Sequence, residues 1–223
     1  MTGDAPASAG SATPVPDRRV VLATRNAHKL GELRAIFAEL GVEVDLVGVT
    51  DFPDVPDVAE TELSFAGNAL LKAVAVAEAT GLTAIADDSG ICVDALNGMP
   101  GIFSARWSGK HGEDEANLDL LLAQVSDVPD GRRGAQFVCA AALAEPGGRR
   151  VVEEGRIEGV LLRERHGGGG FGYDPIFRPD GYEVTTAELT AQEKNRISHR
   201  RRAFAALASH LSEGVSEAFV SEG

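Results

Sequence analysis

The 223-residue chain has little of what staples small folds and little of the charge that binds nucleic acid. Its two cysteines, Cys92 and Cys139, lie far apart and fit neither a disulfide framework nor a thiolate metal site, which points to a reducing cytoplasm. Five histidines are scattered along the chain, a poor basis for a His-rich zinc centre. Lys and Arg number 21 against 34 Asp and Glu, a formal charge of −13. Proteins that bind nucleic-acid polymers concentrate the opposite sign, so that partner class is excluded. A small polyphosphate is not, because a few local cations and a divalent metal can hold one on an acidic surface. No apolar run approaches membrane-spanning length, so no membrane partner is expected. H-E-x-x-H, G-x-S-x-G and the kinase signature set are all missing.

What remains is ordinary globular composition, 43% hydrophobic and 25% charged, in a chain long enough to bury a core as one α/β domain. Residues 1–18, rich in Ala, Pro, Ser and Gly, read as a disordered tail, residues 19–212 as the domain, and residues 213–223 as an acidic C-terminal tail. Strands are expected over Arg19–Thr24, Val42–Val49, Leu82–Ala86, Ile91–Ala95, Ala135–Ala144, Arg150–Leu162 and Pro175–Arg178. Helices are expected over Lys29–Leu40, Glu62–Thr80 and Glu113–Val125, and from the last strand to about Leu211. Strand–helix alternation followed by a hairpin implies an α/β fold with a mixed, elongated central sheet flanked by helices.

Four segments carry polar residues that a core or a plain loop would not need. Thr24–Lys29 joins a strand to a helix, where backbone N–H groups and the helix dipole favour an anion; the plainer reading is a loop with Asn26 as N-cap. On the second helix Lys72 shares an apolar face with Phe65, Ala69 and Val76, so it either snorkels to the surface or enters a polar cleft. In Asp87-Asp88-Ser89-Gly90 the two carboxylates point to opposite faces if the chain is extended. One would then reach a cleft as a Mg²⁺ ligand or general base while the other holds a turn; the alternative is an Asx turn between two strands. Gly167–Asp174 matches G-x-G-x-x-G literally but follows no strand and opens no helix. It reads better as a mobile loop that presents Phe171 and Tyr173 for stacking.

Taken together and in order, TRNAHK (Thr24–Lys29), ETELSFAGNALLKA (Glu60–Ala73), ADDSG (Ala86–Gly90), PGIFSARWSG (Pro100–Gly109), GGFGYDPIF (Gly169–Phe177) and AELTAQEKNRISHR (Ala187–Arg200) resemble the inosine/xanthosine triphosphate pyrophosphatase family. The resemblance runs from Arg19 to Leu211 and implies a two-lobed domain with a substrate cleft, a homodimer, and Mg²⁺-dependent hydrolysis of ITP, dITP and XTP to monophosphate and pyrophosphate. It further implies that Thr24, Arg25, Asn26, Ala27, His28 and Lys29 cradle the triphosphate, with Lys72 reaching the same phosphates. Asp88 would be the general base and, with Glu60, a metal ligand; Ser89 would contact substrate. Phe171, Gly172, Tyr173, Asp174, Lys194, His199 and Arg200 would line the base pocket. Arg25 and Gly67 depart from residues common in relatives, at positions that carry little of this chemistry.

Base selection is expected to rest on polarity: a 6-oxo purine offers an acceptor where adenine offers an amino group. Thr190 and Glu193 form a capping box, and Ser198 caps a following helix, which puts His199 and Arg200 at its positive first turn. The plainer alternative is a solvated basic run over 196–202. Two rival functions stand beside this one, a sister enzyme that prefers another nucleotide and a nucleotide sensor without turnover.

Overall fold

The computed structural model describes residues 19–217. The proposed N-terminal tail and residues 218–223 lie outside the described residues, as do the side chains of Ala27, His28 and residues 212–217. The short apolar run β1 (Arg19–Leu22) is flanked on both sides by parallel strands, β2 (Asp45–Gly48) and β3 (Thr83–Val93). Parallel neighbours require crossovers, supplied by α1 (Ala27–Leu40) and α2 (Phe65–Thr80). After α3 (Asp114–Gln124) the long strands β4 (Gly134–Ala144) and β5 (Arg150–Leu161) extend the sheet as an antiparallel hairpin, closed by β6 (Phe177–Pro179). The strand order is β2-β1-β3-β4-β5-β6, the mixed and elongated sheet expected from the sequence.

Each face of the sheet is covered by helices. Leu33, Ile36 and Phe37 of α1 and Phe204 and Leu207 of α5 (His199–Glu217) pack on Val20, Leu22, Ile85 and Leu143. On the other face, Ala69, Ala73 and Ala77 of α2 meet Ala84, Ala86, Ala140 and Ala142. Alanine against alanine brings α2 close to the strands, so groups one turn along the helix reach the sheet's polar residues. A third cluster, including Ile91, Leu118, Leu121, Ile176 and Phe177, closes the far end.

Three expectations need correction. Asp87–Gly90 is not a turn: β3 runs unbroken, and its ladder with β4 pairs Ala84 with Ala144 through to Val93 with Ala135. The ladder satisfies the backbone, and the acidic side chains find partners elsewhere, so no Asx turn forms. Gly90 serves packing instead, since a Cβ there would overlap Ser104 Oγ and Gly101 O of the 3-10 helix Gly101–Arg106. Second, residues 180–190 are not helical; helix resumes only as α4 (Ala191–Ile197), started by the expected capping box of Thr190 and Glu193. Gly181 at φ 82° and the side-chain pairing of Thr185 with Glu188 hold that loop. Third, α2 starts at Phe65 rather than Glu62, because Ser64 accepts a hydrogen bond from Gly67 N at 3.0 Å. The backbone of α5 also continues past Leu211 to Glu217.

Gly155 on β5 lies under α5, where a Cβ would overlap His199 O and Ala203 N. Gly155→Ala is expected to push α5 off the sheet at a cost of about 1–3 kcal/mol, typical of overpacking. A lower urea midpoint with unchanged m-value would register it.

Candidate active site

β3 outruns its neighbour. Pairing with β1 ends at Leu22 opposite Ile85, and Ala23 N donates to Ile85 O at 2.8 Å. Among the described residues no strand pairs with Ala86–Ile91 on that side. The acidic pair sits on this uncovered stretch, inside the strand order yet at an open edge. Strand alternation then separates the two carboxylates, as the extended-chain reading required.

Asp88 faces α2. Asn68, fully buried, donates from Nδ2 to Asp88 Oδ2 at 3.0 Å and accepts from Glu62 N at 2.9 Å, so one amide ties the aspartate to the 60–64 loop. Lys72 Nζ, on the same helix, lies 2.8 Å from Glu60 Oε1 and 4.0 Å from Asp88 Oδ1. It enters the polar cleft and does not snorkel. Arg106 adds a second cation to Glu60, with Nη1 at 3.4 Å from Oε2. Burial works against Glu60's ionisation, but Lys72 and Arg106 outweigh it and hold its pKa below the ordinary carboxylate value. Asp88 goes the other way: burial raises its pKa, Lys72 lowers it, Glu60 raises it, and the net shift is upward. Two neighbouring carboxylates thus differ in kind, one firmly anionic and one the stronger base.

The same pair could hold a divalent cation. Glu60 and Asp88 are hard oxygen donors drawn to one ammonium, which marks where positive charge is favoured. Among the described residues no three His, Cys, Asp or Glu side chains converge, so further ligands would come from water or substrate oxygens. Mg²⁺ is commonly held this way, by one or two carboxylates plus phosphates.

Asp87 faces α1 and α5. Lys29 Nζ lies 3.1 and 3.0 Å from its two oxygens, and Arg200 Nε donates to Oδ2 at 3.3 Å. Burial disfavours its charge, but these cations overcompensate and keep its pKa far below the usual carboxylate range. Arg200 reaches on to Glu32 Oε2 at 2.9 Å, and burial of its guanidinium is more than offset by Asp87 and Glu32, which raise its pKa.

Two hollows flank this strand. A groove of about 700 Å³ is lined by Thr24, Arg25, Asn26, Lys29, Glu60, Lys72, Arg106 and His111. Asn26 accepts from Lys29 N at 3.4 Å through Oδ1, the N-cap reading, without leaving the groove. Arg25 is turned aside to Asp57 and Val55 O. The His28 and Ala27 side chains lie outside the described residues. The second hollow, about 410 Å³, is bounded by Ser89, Phe171, Gly172, Tyr173, Asp174, Lys194, His199 and Arg200, together with Glu32. All of the described side chains that the resemblance assigned to the site therefore line one hollow or the other, except Asp88.

Their roles within the second hollow differ from expectation in one place. Tyr173 is buried in the far core cluster and donates its hydroxyl to Ser104 O at 2.8 Å, so it is wall rather than stacking platform. Phe171, 65% exposed, keeps a free face, with Lys194 Nζ 4.9 Å from its ring centroid. His199 is not a cation: it stacks on Phe137 at 5.1 Å, and burial with Arg200 and Lys194 nearby pushes its pKa down to about 3. It remains a donor through one neutral ring nitrogen. Asp174 organises the glycine loop, accepting from Phe171 N and Thr186 Oγ1 at 2.8 Å each and pairing with Lys194. A Cβ at Gly170 would strike that carboxylate, which explains part of the glycine run. In the basic run, Ser198 Oγ caps Arg201 N at 3.1 Å, while Arg201 and Arg202 turn outward to Glu39 and Arg156 O.

Sequence reading left Glu32, Asn68, Asp87 and Arg106 without definite roles in the site. Glu32 follows Lys29 by three residues and Asn68 precedes Lys72 by four, so helical spacing was the one available signal. Arg106, brought in by a 3-10 helix far along the chain, lay within the PGIFSARWSG segment, which drew attention to the region without giving the residue a role.

Asp87's ion pairs make a test. With its folded pKa depressed, its contribution to stability is complete above the unfolded value of about 3.9 and is lost as pH falls towards the folded value. Asp87→Asn is expected to cost about 3–5 kcal/mol near neutrality, as for other broken buried pairs. That gap from the parent chain, measured by urea denaturation, should stay constant above about pH 5 and narrow below about pH 4.

Comparison with known proteins bears on the whole described region. The Ham1 family model matches residues 20–210. A dITP/XTP pyrophosphatase from Streptomyces coelicolor is 64% identical over 189 residues, covering 85% of this chain and 94% of that protein. A crystal structure of the Mycobacterium abscessus nucleoside-triphosphatase, a dITP/XTP pyrophosphatase, is 55% identical and superposes with TM-score 0.73 over 85% of this chain and 98% of its own. A HAM1 protein structure from Coxiella burnetii, 41% identical, gives TM-score 0.81 over 87% and 98%. With a matching model across nearly all of the described chain and relatives this similar over almost their full length, the protein belongs to the Ham1 family.

Proposed function

We propose that the chain hydrolyses non-standard purine nucleoside triphosphates (ITP, dITP and XTP) to monophosphate and pyrophosphate, clearing deaminated bases from the nucleotide pool. The observation that carries this reading is Asp88: a buried carboxylate with raised pKa, beside Lys72 and Glu60, between a cationic groove and a hollow of purine-compatible size. The similar bacterial proteins, named dITP/XTP pyrophosphatases, support the same reaction class.

In this reading the triphosphate occupies the groove. The α1 N-terminus supplies backbone N–H groups and dipole, and Thr24, Asn26, Lys29 and Lys72 supply polar and cationic contacts. Glu60 and Asp88 hold Mg²⁺, which when bound offsets polyphosphate charge and acidifies nearby water. Asp88 takes the proton from the water attacking the α-phosphorus in line, and its raised pKa suits it to that work. Asn68 keeps Asp88 Oδ2 occupied, so the carboxylate presents one defined edge. Pyrophosphate leaves against the charge of the two lysines.

The base lies in the second hollow, with Phe171 against its face and Ser89, Lys194, His199 and Arg200 offering donors. A donor-lined pocket accepts the 6-oxo group and leaves adenine's amino group without a partner. The working unit is residues 19–212 as one two-lobed domain, acting as a homodimer in the cytoplasm. No helix among the described residues is long and apolar enough to cross a membrane.

Incubation with Mg²⁺ and ITP should yield IMP and pyrophosphate; IDP and phosphate would reject the reaction. Asp88→Asn should lower kcat by about 10²–10⁴-fold, the usual worth of a general base. Nucleotide affinity by calorimetry should survive, and a parallel loss of both would make Asp88 structural. Substituting Ala for both His199 and Arg200 should collapse the ITP:ATP rate ratio.

A further inference from the structure

We propose that Glu32 is a specificity-positioning residue, whose carboxylate holds the Arg200 guanidinium so that Nη2 is presented at the Ser89 side of the base hollow. The inference rests on the reading of Arg200 as a base-pocket donor.

Arg200 is nearly removed from solvent, with its side chain 7% exposed, yet it borders the hollow. A guanidinium is planar and carries five donors in a rigid fork, so fixing two of its nitrogens fixes where the third points. Here Nη1 is bound to Glu32 Oε2 at 2.9 Å and Nε to Asp87 Oδ2 at 3.3 Å. The remaining Nη2 lies 3.5 Å from Ser89 Oγ, a weak contact that a ligand acceptor could replace.

Asp87 alone does not define this orientation. Its two oxygens are already shared with Lys29, and a single contact at Nε leaves the fork free to swing about that nitrogen. Glu32 removes the freedom from the far side. It sits on α1 three residues after Lys29, so both side chains descend from one helix face onto the same buried cluster. Glu32, Arg200, Asp87 and Lys29 thereby alternate in sign along a chain of contacts that begins and ends on α1. Through it the helix that opens the phosphate groove also orients a donor in the base hollow. Without Glu32, Arg200 keeps its charge but not its aim, and the penalty imposed on a 6-amino purine declines.

The test is kcat/KM for ITP and for ATP with Mg²⁺ in four proteins: parent, Glu32→Gln, Arg200→Lys and the double variant. Glu32→Gln is expected to lower the ITP:ATP preference about tenfold, the scale of one charge-assisted hydrogen bond, chiefly through the KM of ITP. The double variant should be no less selective than Arg200→Lys alone, because both substitutions disable the same donor. Equal loss for both nucleotides, or multiplying losses of selectivity in the double variant, would overturn the proposal, the latter by showing that Glu32 meets the base independently. Glu32→Asp, which keeps the charge at shorter reach, covers failure of Glu32→Gln to fold; it should give intermediate selectivity, and parental selectivity in it counts against the role. If Arg200→Lys leaves the ratio untouched, the base-pocket reading of Arg200 is wrong and this inference falls with it; a selective loss at Arg200 without one at Glu32 rejects the inference alone.

Discussion

The site depends on a mismatch in strand length. β1 stops opposite Ile85 while β3 continues to Val93, and the overhanging stretch carries Asp87, Asp88 and Ser89. Successive side chains of a strand leave on opposite faces. Asp88 is therefore handed to α2, with Lys72 and Asn68, and Asp87 and Ser89 to the α1–α5 side, with Lys29 and Arg200. Because β1 has ended, no strand pairs with β3 beside the carboxylates on that side among the described residues.

Such a concentration of charge at a sheet centre is costly unless each group has a partner. The structure meets the requirement by alternation. Asp87 is flanked by Lys29 and Arg200, Arg200 by Asp87 and Glu32, Glu60 by Lys72 and Arg106. Among the described residues no buried side-chain nitrogen or oxygen lacks a hydrogen-bond partner. Asp88 stands somewhat apart: its nearest full cation is 4.0 Å away, and its hydrogen bonds come from the Asn68 amide and the Ser89 N–H. Neutral donors stabilise its anion less than ion pairs do, which is why burial prevails and its pKa rises while that of Asp87 falls.

Much of this was legible in the chain. The apolar periods placed α1, α3, β4 and β5 within a few residues, and the extended-chain argument correctly sent the two aspartates to different faces. Thr190 and Glu193 form the capping box that their spacing announced. The misreadings share a cause. Asp-Asp-Ser-Gly resembles a turn because these residues satisfy backbone groups locally, but in β3 the β4 ladder already does so, and the side chains are free for longer-range partners. Tyr173 read as a stacking face from its glycine-rich neighbours, but the far core cluster buries its ring and Ser104 O takes its hydroxyl.

Local rules, acting over a few residues, were enough to determine the elements, their apolar faces and which segments carried excess polar chemistry. Periodicity, capping and turn preference are written in neighbouring positions and need no tertiary partner. The tertiary structure alone decided which charge meets which: Lys29 with Asp87 across 58 residues, Arg200 with Glu32 across 168, Arg106 with Glu60 across 46. Pairings at such separations follow from where β1 ends and how closely α2 and α5 approach the sheet. Those are properties of side-chain packing over the whole domain, and no window of sequence contains them.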